Sequence, residues 1–153
     1  MSERLATVMV VDVGGRGHAL AEKYAESPHV GRVIVIPGND YMRRSLSGKI
    51  DTYPWFHGKR LSTTNIPEIL EICDLEEVTL VDVAQENAVA AGLVNKVRGR
   101  GRLAVGPTRA AGEIEWSKMF ERQMGDMVGM PHPYWEYFLT ESSGLDFMDR
   151  QPE

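Results

Sequence analysis

Short apolar runs and amphipathic stretches take turns along the chain. Thr7-Val-Met-Val-Val-Asp-Val13 is a Val-rich continuous run, the pattern of a strand buried on both faces. His18 to Glu26 changes period: Leu20 with Tyr24 and Ala21 with Ala25 are i, i+4 pairs of a helix. Ser27-Pro28 stops that helix, because proline disfavours helical geometry in the residue before it. Arg32-Val-Ile-Val-Ile36 predicts a second buried strand, closed by Pro37-Gly38-Asn39. Residues 40–64 sustain neither period and read as a long irregular loop holding Tyr53, Trp55 and Phe56. Asn65 to Ile72 is helical, with Glu68 three residues after Asn65 as in a capping box. Val78 to Val83 predicts a third strand. Asn87 to Arg98 is a helix with Val89, Leu93 and Val97 on one face, ended by Gly99 and Gly101. Arg102-Leu-Ala-Val-Gly106 predicts a fourth strand, and Pro107-Thr108 opens a helical stretch to about Met127. Tyr134-Trp-Glu-Tyr-Phe138 reads as a short strand, followed by a polar tail.

Strand and helix therefore alternate four times. Parallel strands need crossover connections, so the expected fold is α/β: a Rossmann-like open parallel sheet with helices on both faces. One such domain is expected over residues 1–130, with 131–153 forming the short strand and tail. A length of 153 residues suits a single domain. The formal net charge of −5 argues against a nucleic-acid partner, which would call for a basic stripe. Cys73 is the only cysteine, which excludes a disulfide framework or a cysteine-built zinc site and suits a reducing compartment. No run approaches the roughly 18 apolar residues of a membrane helix, and no basic-then-apolar leader opens the chain. A cytoplasmic protein with no membrane partner is expected.

Ligands of an open parallel sheet bind outside the carboxyl ends of its strands. Four segments fall there: Gly14–His18, Pro37–Asn39, Ala84–Asn87 and Gly106–Thr108. The first is the richest. Gly14, Gly15 and Gly17 let a ligand approach the backbone, and amides at a helix start favour phosphate or carboxylate. Arg16 and His18 add donors. A tight strand-to-helix turn with a solvated arginine is the plainer alternative. Pro37-Gly38-Asn39 is foremost an ordinary turn sequence. Glu86 opens a helix, where it either complements the dipole or accepts from a ligand amine or hydroxyl. Thr108 reads first as a helix cap.

Two nucleotide signatures fail. After Gly15-x-Gly17, the dinucleotide fingerprint requires a glycine where Leu20 stands, and Pro37 occupies the place of the ribose-binding acid. No P-loop occurs. His29, His57 and His132 stand alone, so no metal site is expected; Cys73 and the Met119, Phe120, Met124, Met127 set read as core. No catalytic residue is assigned.

Taken in order, Val11-Asp-Val-Gly-Gly-Arg-Gly-His-Ala-Leu20 with Ser27-Pro28, Pro37-Gly38-Asn39, Gln85-Glu86, Ala91-Gly-Leu-Val94, Gly106-Pro-Thr108 and Ser117-Lys-Met-Phe120 resemble the amino-terminal part of phosphoribosylamine–glycine ligase, an ATP-grasp enzyme of purine biosynthesis. That family carries a G-G-R-E-H-A-L loop, a P-G-N turn, a G-P-E strand end, an A-G-I-V helix, a G-P-T turn and an S-K-x-F helix in the same order. Gly17 stands where the loop has glutamate, Ala84-Gln85 where Gly-Pro precedes Glu86, and Asp40-Tyr41-Met42 where small residues follow the asparagine.

The resemblance implies a pre-ATP-grasp type of domain and a phosphorylated small-molecule substrate. In the complete, nucleotide-binding enzyme, ATP and Mg²⁺ would activate glycine for attack by 5-phosphoribosylamine. It implies that Gly14, Gly15, Arg16, Gly17 and His18 surround substrate phosphate or carboxylate, with Pro37, Gly38, Asn39, Glu86 and Thr108 lining the site. The nucleotide and metal residues of the ATP-grasp region are not expected in this chain, so ATP and Mg²⁺ would bind elsewhere. An ATP-grasp chain or a homodimer is the expected partner. A non-catalytic ligand-binding or interaction module derived from the same family is the alternative.

Overall fold

A computed structural model describes residues 5–45 and 47–150. It divides into two compact units, the first running through Gly112 and the second starting at Glu113. The boundary expected near residue 130 thus falls inside the second unit.

The first unit is built on β1 (Ala6–Asp12), which lies in the middle of a five-stranded sheet. β2 (Val30–Pro37) and β3 (Ile50–Thr52) extend it on one side. A separate hairpin, β4 (Trp55–Phe56) with β5 (Lys59–Arg60), precedes β6 (Leu80–Val83) and β7 (Leu103–Val105), which extend the sheet on the other side. The order is β3-β2-β1-β6-β7, and every neighbouring pair is parallel. Successive strand residues face opposite sides, so a strand covered on both must be apolar throughout. Val8 to Val11 and Val33 to Ile36 meet that demand and are at most 2% exposed.

Helices cover both faces, as expected. α1 (Gly15–Ala25) packs Ala21 and Ala25 with Val8, Val10, Val33 and Val35. α2 (Ile66–Leu75) lies on the opposite side, where its Cys73 Sγ comes within 3.6 Å of Met9 Sδ. The lone cysteine is buried core, as its pattern predicted.

Several expectations are corrected. The sheet has five strands, because β3 forms inside the segment read as a loop; that segment also holds a 3-10 turn at Met42–Arg44 and the β4–β5 hairpin. The hairpin turns on His57 and Gly58, both at positive φ, as a two-residue loop between twisted strands requires. Asn65 does not cap α2; its Oδ1 accepts from the Ser62 amide and hydroxyl at 2.7 and 2.9 Å. The helix predicted over 87–98 is two, α3 (Glu86–Ala90) and α4 (Leu93–Gly99), because Gly92 takes φ +83° and breaks the ladder between them.

The second unit holds α5 (Glu113–Trp116), α6 (Lys118–Met127) and α7 (Glu141–Met148). Ser117 caps α6, its Oγ accepting from Phe120 N at 3.3 Å. The strand predicted at 134–138 does not form; these residues are irregular, and Phe138 packs on Phe147 of α7 at 5.2 Å between ring centroids. The tail expected to be simply polar contains that helix. Met119 and Met127 are 45% and 79% exposed while Phe120 and Met124 are half-buried, so the set expected as core is only partly covered: helical spacing marks an apolar face without guaranteeing its burial.

Candidate functional site

The chain leaves β1 towards β2 on one side, and leaves β6 towards β7 on the other. The carboxyl ends of β1 and β6 are therefore neighbours whose connections diverge, the topological switch point at which such sheets open a crevice. The Gly14–His18 turn follows β1 and Glu86 follows β6, so two of the four predicted segments flank this switch point.

Arg16 spans it. Its Nη2 lies 3.3 Å from Glu86 Oε2, and its Nε lies 3.7 Å from Asp12 Oδ2. Arg16 and Glu86 are both about half exposed, which leaves the bridge open to water and weak. Gly14 caps α1 in extended geometry without a side chain to serve as cap. The amides of Gly15, Arg16 and Gly17 form the first turn, which no earlier helical carbonyl can reach.

Asp12 went unnoticed as a site residue, yet it organises the turn. Its Oδ1 accepts from Val13 N at 2.5 Å and Gly14 N at 2.6 Å. The residue is 1% exposed, and Oδ2 has no hydrogen-bond partner among the described residues. Gly17 is required by the same carboxyl: a Cβ there would stand 2.3 Å from Asp12 Cβ and 2.7 Å from its Cγ. The glutamate of the resembling loop has no room opposite an aspartate.

A second buried acid lies beneath. Asp82 on β6 pairs in register with Val10, two residues before Asp12, and so shares its face. Tyr24 on α1 donates its hydroxyl to Asp82 Oδ2 at 2.8 Å. Burial raises the Asp82 carboxyl above its ordinary range, and Asp12 adds to this; the Tyr24 bond and Arg16 pull the other way. Burial and the bond to Asp82 push the Tyr24 phenol up to about 12. The available signal was the same for both acids: a lone aspartate inside an apolar strand.

The remaining predicted residues act more locally. Gly38 takes φ +67° and donates its amide to Asp12 O at 3.1 Å. Asn39 Nδ2 donates to Val13 O at 2.9 Å, while its Oδ1 accepts from Tyr41 N and Met42 N at 2.9 and 3.2 Å. Pro37-Gly38-Asn39 therefore braces the end of β1 as a turn. His18 faces Glu22, with Nε2 3.5 Å from Oε1. Thr108 caps a turn and not a helix: its Oγ1 accepts from Ala111 N at 3.3 Å, and the next helix starts only at Glu113. Among the described residues no cluster of three or more His, Cys, Asp or Glu is placed to hold a metal ion. No described helix is long and apolar enough to cross a membrane.

The family model described as "Phosphoribosylglycinamide synthetase, N domain" matches residues 6–115. The trifunctional purine biosynthetic protein adenosine-3 of Gallus gallus is 36% identical over 142 residues, covering 93% of this chain and 13% of that protein. The phosphoribosylamine–glycine ligase of Chlorobaculum tepidum is 32% identical over 145 residues, covering 95% of this chain and 32% of the ligase. That of Streptococcus pneumoniae serotype 4 is 35% identical over 124 residues, covering 81% and 27%. The chain thus spans between an eighth and a third of these relatives. Among solved structures, the biotin carboxylase domain of a single-chain bacterial carboxylase has the same fold, with a TM-score of 0.62 at 16% identity over 94% of this chain and 34% of that one.

Proposed function

The chain belongs to the phosphoribosylglycinamide synthetase N-domain family, and from that premise we propose that it forms the substrate-side crevice of a phosphoribosylamine–glycine ligase. In that reaction ATP phosphorylates the glycine carboxylate. The amine of 5-phosphoribosylamine then displaces phosphate from the acyl carbon, giving glycinamide ribonucleotide, ADP and phosphate.

The observation that carries this reading is the switch-point crevice, with the glycine turn and Arg16 on one lip and Glu86 on the other. This chain's own part is to bind and orient. The first-turn amides of α1 and the Arg16 fork supply donors, and Glu86 supplies an acceptor. Holding a reactant in one geometry removes part of the entropy barrier of a two-substrate reaction. The ATP and Mg²⁺ chemistry falls to an ATP-grasp domain on a partner or on further sequence. The working compartment is the cytoplasm.

Calorimetry with ribose 5-phosphate tests the crevice. Saturable heat that Arg16→Ala abolishes is expected; no heat from the wild-type chain refutes it. Product formation after adding the ATP-grasp part of a relative tests the reaction itself. A non-catalytic ligand-binding module is the second reading. It is favoured by the Asp12 carboxylate, which already holds two amides of the turn.

A further inference from the structure

The glycine turn was expected to cradle an anion, and it already holds one. Asp12 Oδ1 takes the Val13 and Gly14 amides at 2.5 and 2.6 Å. Its other oxygen is buried and accepts no hydrogen bond from any described residue; Arg16 Nε lies 3.7 Å from it. Arg16 is itself shared with Glu86.

We propose that Asp12 is the specificity-determining residue of this crevice: its carboxyl group takes the Val13 and Gly14 amides and stands beside the first-turn amides of α1, so the crevice selects a ligand that brings a hydrogen-bond donor to this end of the sheet and discriminates against a bare inorganic anion. This deepens the reading of the crevice as a substrate site, on which it rests. A buried acceptor without a donor gains when a hydroxyl or ammonium reaches it, because leaving a buried polar atom unpaired is costly. A phosphate meets the opposite situation. It must compete with a tethered carboxyl group for the Val13 and Gly14 amides, approach the first-turn amides beside that group, and pass Glu86 to reach Arg16. Gly17 keeps the arrangement in place, since any side chain there would collide with Asp12.

The test is an amide-resolved NMR titration of the full chain with inorganic phosphate and, separately, with ribose 5-phosphate. For wild type, phosphate is expected to leave the Val13–Gly17 amides unshifted while ribose 5-phosphate shifts those of Gly15–Gly17. In Asp12→Asn, which keeps the shape and removes the charge, phosphate binding is expected to tighten by at least about tenfold, given a unit charge removed within about 4 Å. Asp12→Gly, which vacates the amides altogether, should gain at least as much and provides the test should the asparagine variant fold poorly. Phosphate binding equally well to wild type and variants overturns the proposal, as does phosphate binding to none of them. If phosphate binding appears in the variants but ribose 5-phosphate shifts nothing in the wild type, Asp12 has the proposed role and the ligase substrate reading fails by itself.

Discussion

Gly17→Ala offers a direct measure of how tightly β1 and α1 are locked at the site. The added Cβ would lie 2.3 Å from Asp12 Cβ and 2.7 Å from Cγ. Carbon atoms sit comfortably at roughly 3.5–4.0 Å, so the nearest contact is short by about 1.2 Å or more. Asp12 has nowhere to go. It is 1% exposed, ends the central strand, and has Oδ1 tied to two amides. Overpacking of this kind costs about 3 kcal/mol, the upper part of the usual range. Replacing glycine by alanine in a helix returns at most about 1 kcal/mol. The net loss is therefore about 2 kcal/mol, or a Tm lower by about 4–8 °C for a chain near this length.

The signature is the coupling, not the loss. In an Asp12→Gly background the obstacle is gone, and Gly17→Ala should stabilise by about 0.5–1 kcal/mol through reduced freedom of the unfolded chain. A double-mutant cycle by urea unfolding, followed by circular dichroism, should give an interaction energy of about 2.5–3 kcal/mol. Additivity within about 0.5 kcal/mol would refute the account, because independent sites behave that way.

Two further outcomes follow from charge and burial elsewhere in the first unit. Tyr53 donates to Glu76 Oε1, and Arg32 reaches both Glu76 and Asp51, fastening β2, β3 and the end of α2. The Tyr53 bond and Arg32 hold the Glu76 carboxyl below its usual range. Its stabilising effect should be complete above an unfolded value of about 4.3 and fade as pH falls through the lower folded value. Stability curves measured from neutral to acid pH should show this fall in wild type and less of it in Glu76→Gln; parallel curves would remove Glu76 from the account. Cys73 is fully buried and burial pushes its thiol up to about 11, so a thiol reagent at neutral pH should label it only as fast as the chain unfolds. Prompt labelling of the native chain would contradict the packing of α2 on β1.

How much the sequence disclosed depended on whether each signal was one of burial. β1, β2 and β6 were legible because Val-rich runs flanked by turns leave few alternatives to a covered strand, whereas β7 showed its apolar Leu103-Ala-Val105 run without being covered. β3 was not: of Ile50, Asp51 and Thr52 only Ile50 is buried, so an edge strand of three residues carries no period to detect. The break at Gly92 hid behind Val89, Leu93 and Val97, all buried, whose spacing continues across it; a pattern of apolar positions does not register one residue turning to positive φ. Met119 and Met127 show the converse limit, a correct helix whose apolar positions are in part left exposed.

The site followed the same logic one level higher. The turns after the strands were placed by topology, since a parallel sheet must present them at one edge. What they do there was decided by Asp12 and Asp82, each hidden inside a run whose apolar character made the strand assignment secure. Averaging over the run discarded the informative residue. A charge in a covered strand must find hydrogen bonds within a few ångströms. At the end of β1 the nearest donors are the amides of the turn that follows. The same three glycines that suggest an open anion cradle therefore read, once Asp12 is counted, as a cradle with a resident carboxylate. The absence of a side chain at 17 is then a steric requirement of position 12.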